Sequence, residues 1–426
     1  MIKLENKIKN IKKPELLIPA GSLDVLKVAV DYGADAVYIG GQKFGLRAKA
    51  GNFTLDEMRE AAEYVHKAGA KLYVTVNIFA HNDDIEGVKK YFTDIKEAGL
   101  EKDIDAFIIS DPGIITLAME MLPEIEVHIS TQANNTNYLT YNFWYKHGAT
   151  RVVAARELSL KELKTIRDNI PEDMEIEAFI HGAMCISYSG RCLLSSYFTG
   201  RDANKGACTH PCRWKYAIME EQRPGEYLPI EEDDRGTYIF NSKDLCMIKY
   251  IPELIEAGVN SFKIEGRMKT ALYVAAVTRT YRQAIDDYFT SEELYRSRQD
   301  YYDAEISACT YRQFTTGFYF GKTDEKSQIY DNNTYIKNYT YLGTIENISD
   351  DGLITIHQKN KFLVGDEISI MLFDGSNKET VVTGIYDEKM TPMESAPHPK
   401  QMLYVKLDDI TDVKKGMIIR SRHCEA

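Results

Sequence analysis

From Pro14 onward, short apolar runs alternate with longer stretches in which apolar residues recur at helical spacing. ELLIPA (15–20), AVYIGG (36–41), KLYVTVN (71–77), DAFIIS (105–110), EVHIST (126–131), RVVAA (151–155), EIEAFIHG (175–182) and SFKIEG (261–266) predict eight strands. Between the first two, SLDVLKVAVDYGA (22–34) has the spacing of an amphipathic helix. Thr54 with Glu57, and Ser159 with Glu162, have the pairing of a capping box and mark two further helix starts. Strand–helix alternation of this kind builds a parallel sheet. Eight such units predict closure into a TIM-like (β/α)8 barrel over residues 14–290.

The rhythm breaks over 182–236, a loop rich in cysteine and glycine that also carries the acidic run EEDD (231–234). It follows the seventh strand, at the face where parallel barrels hold their chemistry. Residues 291–331 read as a linker. From 332 to 426 the pattern changes to short alternating runs (YTYLGTIENI, GLITIHQK, DEISIMLF, ETVVTGIYD, MLYVKLDD, MIIRSR) separated by Gly, Asp and Asn. These predict a small all-β barrel of roughly six strands. No strand-then-GxGxxG fingerprint and no P-loop occurs, and the glycines of AVYIGGQKFG read as a tight turn after a strand.

Residues 1–13 form a basic arm with five lysines between Lys3 and Lys13 and no apolar stretch behind them, unlike a secretory signal. No run is long enough to cross a membrane. A reducing cytoplasm is therefore the expected compartment, and the seven cysteines favour metal ligation or redox chemistry over disulfides. The net charge of −12 argues against broad phosphate neutralisation, so any RNA contact must come from a local basic patch.

Cys185, Cys192, Cys208 and Cys212 are spaced C-x6-C-x15-C-x3-C. Four thiolates within so short a segment point to one metal centre. The last pair fits a zinc turn, but the first spacing is wide for zinc, and an iron–sulfur cluster accepts such irregularity. Buried thiols without metal are the third reading. Cys246, in NSKDLCM, is an alternative fourth ligand.

EAFIHGAMCISYSGRCLLS (177–195) resembles the signature of the collagenase-like peptidase family, number thirty-two of the unknown-mechanism class: E-x-F-x-x-G, then C-x-x-x-x-G-x-C and a serine. The resemblance extends through PELLIPAGS, STQ, KGACTHPCRWKY, NSKDLC, KIEGRMK and FTTGFYFG. It implies an enzyme of RNA or quinone hydroxylation, with an iron–sulfur cluster, [4Fe-4S] in kind, on four cysteines. Length, single barrel and β-module look most like the members that make 5-hydroxyuridine at the tRNA wobble position, with prephenate as co-substrate. The implied partners are the tRNA anticodon loop and a paralogous subunit of the same family. In one quinone-pathway relative the fourth ligand comes from a position like Cys246, which leaves Cys212 and Cys246 both open. A peptidase, as the family name suggests, and a zinc-stapled RNA-binding factor without catalysis are the alternatives. The commonest protease signatures, HExxH and GxSxG, are absent from the sequence.

Barrel geometry directs attention to the C-terminal strand ends: Asn77 and Gln132 as substrate-binding groups, and Arg156, Glu157, His181, Glu265 and Arg267 as catalytic candidates. Arg156 and Arg267 suit the two carboxylates of the implied prephenate, because a guanidinium fork bonds both oxygens at once. The structural alternative is a salt bridge to Glu157 or Glu265. His181 is either an acid–base group, a support for a cluster ligand, or a core histidine. Arg201, Lys205, Arg213 and Trp214 make a basic–aromatic patch suited to an unstacked base and its phosphates. Charge compensation of a tetrathiolate centre is the plainer role for the same cations.

Overall fold

The computed structural model describes residues 11–46, 52–184, 243–321 and 336–422 without interruption. Between 185 and 242 it describes only 192, 194–201, 203, 206–211, 214–216, 218–219, 227–228 and 237–238. The chain divides into two compact units, one of Met1–Leu26, Asp35–Met268 and Arg312–Tyr335, the other of Lys27–Ala34, Lys269–Tyr311 and Ile336–Ala426.

The first unit is a closed parallel barrel. Its strands in chain order are β1 (Glu15–Pro19), β2 (Ala36–Gly40), β3 (Lys71–Val76), β4 (Ala106–Ile109), β5 (Glu126–Ile129), β6 (Arg151–Val153) and β7 (Glu175–Ala183), with β8 (Asp244–Cys246) standing outside the ring and β9 (Ser261–Ile264) completing it. Neighbours pair in sequence order, and β9 closes the ring by pairing parallel to both β7 and β1. All eight predicted strands are present, each within two residues of the run that announced it.

Both predicted capping boxes form. Thr54 and Glu57 exchange side-chain and backbone hydrogen bonds at the start of α2 (Leu55–Lys67), and Ser159 and Glu162 do so at α6 (Leu160–Arg167). The helices α1 (Leu23–Asp31), α3 (Asn82–Glu97), α4 (Pro112–Met121) and α5 (Tyr138–Lys146) occupy the other intervals between strands. The strands are buried almost throughout, so their apolar runs are nearly continuous, as expected of a sheet covered on its outer face.

Strand β8 runs antiparallel to the end of β7 and places Cys246 opposite His181. It is anchored by Arg312, whose Nε donates to Asp244 Oδ1 at 3.0 Å and whose backbone N–H donates to Oδ2 at 3.2 Å. A further strand, β10 (Phe314–Thr315), pairs with β8 on its far side.

The second unit holds a closed antiparallel barrel of six principal strands: β11 (Tyr339–Ile348), β12 (Ile354–His357), β13 (Glu367–Met371), β14 (Asn377–Tyr386), β15 (Met402–Leu407) and β16 (Ile418–Arg422). Their order around the ring is β13-β16-β11-β12-β15-β14, closed by β14 against β13. Closure satisfies the backbone groups that an open edge would leave for another chain. Leu342, Ile354, Ile370, Leu403, Val405 and Ile419 belong to its core.

Three helices belong to the same unit: α9 (Ala271–Thr290), α10 (Glu292–Ser297) and α11 (Gln299–Ile306); α7 (Leu194–Thr199) and α8 (Ile251–Glu256) lie earlier in the chain. Here two guanidiniums are buried on one carboxylate. Arg279 pairs with Glu305, and Arg420 Nη2 reaches Glu305 Oε2 at 3.2 Å. Arg279 Nη1 donates to the Ser376 carbonyl at 2.8 Å, and Asn377 Nδ2 donates to Glu305 Oε1 at 2.7 Å. Removing the anion strands two buried cations. Glu305→Leu is therefore expected to cost about 3–5 kcal/mol in urea unfolding of the full chain; a loss under about 1 kcal/mol would show that water screens the pair.

Candidate active site at the barrel mouth

A cavity of ≈ 490 Å³, counting its open mouth, lies at the C-terminal end of the parallel barrel. Five of the residues singled out from sequence line it: Asn77, Gln132, Arg156, Glu265 and Arg267. Tyr38, Thr75, Phe179 and Lys263 also line it and were not anticipated.

Arg156 is held in three ways. Nη1 donates to the Ala183 carbonyl at 3.0 Å, Nη2 stands 3.6 Å from Glu265 Oε2, and the guanidinium carbon lies 3.9 Å from the Phe179 ring centroid. The rim ion pair considered from sequence is thus present for this arginine. Arg267 is engaged differently. Nη1 donates to the Leu46 carbonyl at 2.9 Å and to Thr75 Oγ1 at 3.0 Å, and Nη2 donates to Asn52 Oδ1 at 2.9 Å. Asn77 Oδ1 accepts from the Leu46 N–H at 3.1 Å. Arg267 therefore fastens the loop after β2 over the cavity wall, and its fork is taken up by protein groups.

The two glycines that end β2 follow from this arrangement. A Cβ at Gly40 would stand 2.3 Å from Arg267 Nη2, and one at Gly41 would stand 2.3 Å from the Tyr91 hydroxyl. Close approach of side chains, beyond the tightness of a turn, accounts for AVYIGG.

Below the cavity the barrel interior is ionic. Lys263 Nζ donates to Glu177 Oε1 at 2.6 Å, and Glu177 Oε2 accepts from Arg151 Nη1 at 3.2 Å. Arg151 also donates to Glu15 Oε1 at 2.5 Å and, through Nε, to Glu175 Oε2 at 2.8 Å. Tyr73 donates to Glu15 Oε2 at 2.7 Å. Burial alone would raise the Glu15 carboxyl, but the Arg151 charge and hydrogen bond outweigh it and hold the pKa at about 2. Burial likewise works against the Glu177 anion, and Lys263 and Arg151 keep its pKa below the ordinary value. His128, fully enclosed, is shifted down by burial and then by Arg151.

Glu157 is half-buried outside the cavity wall, where burial raises its carboxyl pKa. His181 is buried opposite Cys246 with its ring 5.6 Å from Phe314, also outside that wall.

The cysteine loop is described in part. Cys192 and Cys208 are half-buried, and Cys185, Cys212, Lys205 and Arg213 lie outside the described residues. Among the described residues no three ligating side chains gather at one point. Helix α7 (Leu194–Thr199) is tied to the segment after Cys208: the Thr209 N–H donates to Ser195 Oγ at 3.0 Å, and the Thr209 hydroxyl lies 3.2 Å from that of Thr199. This draws the chain just after Cys192 beside the chain just after Cys208. The His210 N–H donates to Cys208 Sγ at 3.4 Å. The two cysteines thus fit ligation of a metal centre. Trp214 and Arg201 are exposed, and the Trp214 ring lies 6.3 Å from exposed Phe198, itself 5.1 Å from exposed Tyr197.

A closed parallel barrel with a polar, charged cavity at its C-terminal mouth is the architecture of barrel enzymes. The chain belongs to peptidase family U32, whose model matches residues 21–329, and the C-terminal domain model of that family matches residues 337–420. It is 40% identical over 398 residues to tRNA hydroxylation protein P1 of Bacillus subtilis, covering 93% of this chain and 92% of the relative. It is 36% identical to tRNA hydroxylation protein P of Escherichia coli, covering 96% and 97%. Over 272 residues it is 40% identical to the 23S rRNA 5-hydroxycytidine C2501 synthase of Escherichia coli, covering 64% of this chain and 39% of that one. No helix among the described residues is long and apolar enough to cross a membrane.

The ion network sets an acid limit on the fold. Glu15 is held at about 2 against an ordinary value of 4.5, so its contribution is present above pH 4.5 and lost as the pH falls from there toward 2. That contribution is about 3 kcal/mol. Arg151→Met should remove it and flatten the acid limb of the stability curve, measured by urea unfolding at stepped pH. An unchanged acid limb in the variant would disprove the assignment.

Proposed function

We propose that the protein is an RNA-modifying enzyme that hydroxylates carbon 5 of the tRNA wobble uridine, with prephenate as co-substrate. Its relatives named for tRNA and rRNA hydroxylation support the reaction class. The observation that carries the reading within the molecule is the bond from Arg156 Nη1 to the Ala183 carbonyl. It joins the cavity wall to the last residue of β7, two residues before Cys185 in the sequence, which supports a cysteine loop that starts beside the cavity.

An iron–sulfur cluster on Cys185, Cys192 and Cys208, with Cys212 or Cys246 as fourth ligand, would supply the electron transfer that side chains cannot perform at an unreactive ring carbon. The protein's own tasks are positioning and charge. Arg156, fixed by Phe179 and Ala183, meets a carboxylate of the co-substrate. Exposed Trp214, with Phe198 and Tyr197, offers stacking faces for an unpaired base, and Arg201 offers a cation for a neighbouring phosphate. The anticodon loop presents such a base without duplex melting. A paralogous subunit of the same family completes the expected set of partners.

Anaerobically purified protein should be brown and contain iron and sulfide, and Cys192→Ser or Cys208→Ser should bleach it. Zinc without iron would overturn the cluster. tRNA from cells lacking the gene, and any oxygen-dependent substitute enzyme, should lose wobble 5-hydroxyuridine derivatives; an unchanged nucleoside profile would end the hydroxylation reading.

A further inference from the structure

Three cations line the cavity, Arg156, Lys263 and Arg267, against one carboxylate, Glu265. Counting Glu177 behind Lys263, three positive charges still face two negative ones. Arg267 spends its fork on Leu46, Thr75 and Asn52. Lys263 is built in differently. It is 4% exposed, its Nζ lies 4.4 Å from the Tyr38 ring centroid, and a 2.6 Å hydrogen bond to Glu177 fixes it from below. An ammonium has three donors, and one hydrogen bond to Glu177 leaves it donors for the cavity it lines. Lys263 Nζ and the Arg156 guanidinium both lie against Phe179, at 5.6 and 3.9 Å from the ring centroid. A second observation is independent of charge. Gln132 Oε1 is buried at the cavity with no hydrogen-bond partner among the described residues, an arrangement that is costly until a donor arrives.

We propose that Lys263 is the fixed cation that receives a carboxylate of a small organic acid in this cavity, that Gln132 accepts a hydrogen bond from a hydroxyl on the same ligand, and that Glu177 is the positioning residue for Lys263. This rests on the reading above that the cavity takes the small co-substrate while the cysteine loop meets the RNA. The chemistry selects an acid with an apolar body, since Tyr38, Ile108, Val153 and Phe179 supply flat or branched walls between the polar groups. Glu177 acts only through Lys263. It is wholly buried, and its other oxygen is taken by Arg151 and Ser261, at 3.2 and 3.4 Å.

Removing Lys263 alone would strand the buried Glu177 charge, so the test uses a balanced pair. Full-length protein is titrated calorimetrically with prephenate and with its dimethyl ester, and each variant is checked for a cooperative melt. Wild type should bind prephenate and bind the ester at least about tenfold more weakly. The folded double variant Lys263→Met with Glu177→Gln should lose prephenate affinity by about tenfold or more, and Gln132→Leu by a smaller factor.

Glu177→Gln alone separates positioning from packing. Prephenate affinity should fall at least about threefold in this variant while affinity for the dimethyl ester stays level, and Glu177→Asp should restore part of the loss. Equal binding of acid and ester, no binding by wild type, or undiminished binding by the folded double variant would each overturn the proposal. Unchanged prephenate affinity in the folded Glu177→Gln variant would remove Glu177 from it. None of these measurements involves RNA, so their failure is distinct from a failure of the nucleoside analysis.

Discussion

Glu177 has no exposed surface, yet it carries a negative charge in the middle of a parallel barrel. Such a charge survives only if cations meet it on every side that water has left. Lys263 supplies one side and Arg151 the other, and Arg151 in turn gathers Glu15 from β1 and Glu175 from β7 itself. The ionic chain therefore connects strands β1, β6, β7 and β9, three of which (β1, β7 and β9) meet where the ring closes. A hydrophobic filling of equal volume would hold the barrel as well or better. What the ions provide is a definite orientation of Lys263 at the cavity floor, which a greasy core could not.

The architecture was legible because its signals are periodic. Eight apolar runs, two capping boxes and six alternating strands each announce themselves locally, and closure follows from their number. The rim residues were also accessible, since strand ends can be counted: Asn77, Gln132, Arg156, Glu265 and Arg267 do share one cavity. The roles of the two arginines were not separable at that stage. Whether a guanidinium faces a ligand or a backbone carbonyl depends on a loop that comes from elsewhere in the chain, here Leu46 and Asn52 on Arg267.

The interior groups were missed for a different reason, although a signal existed. Parallel strands covered on both faces have no solvent side on which to put a charge. Glu177 inside EIEAFIHG, Arg151 at the head of RVVAA and Lys263 inside SFKIEG thus break the rule of their own strands. Read together, two cations and an anion in buried positions predict one another. The cysteine spacing, by contrast, indicated a metal centre but could not disclose the link from Ser195 to Thr209, in which a backbone N–H meets a hydroxyl across a loop.

Each unit borrows from the beginning of the chain. Residues Glu15–Leu17 of β1 pair with Ser261–Lys263 of β9, and Tyr32 donates its hydroxyl to the Met371 carbonyl while accepting from the Ile418 N–H. During synthesis β1 can meet β2 early, but its other neighbour, β9, emerges only about two hundred and fifty residues later, and Tyr32 waits 386 residues for Ile418. Pairings this distant in sequence make folding slow. A ribosome-bound chain stopped anywhere before β9 therefore exposes two barrel edges.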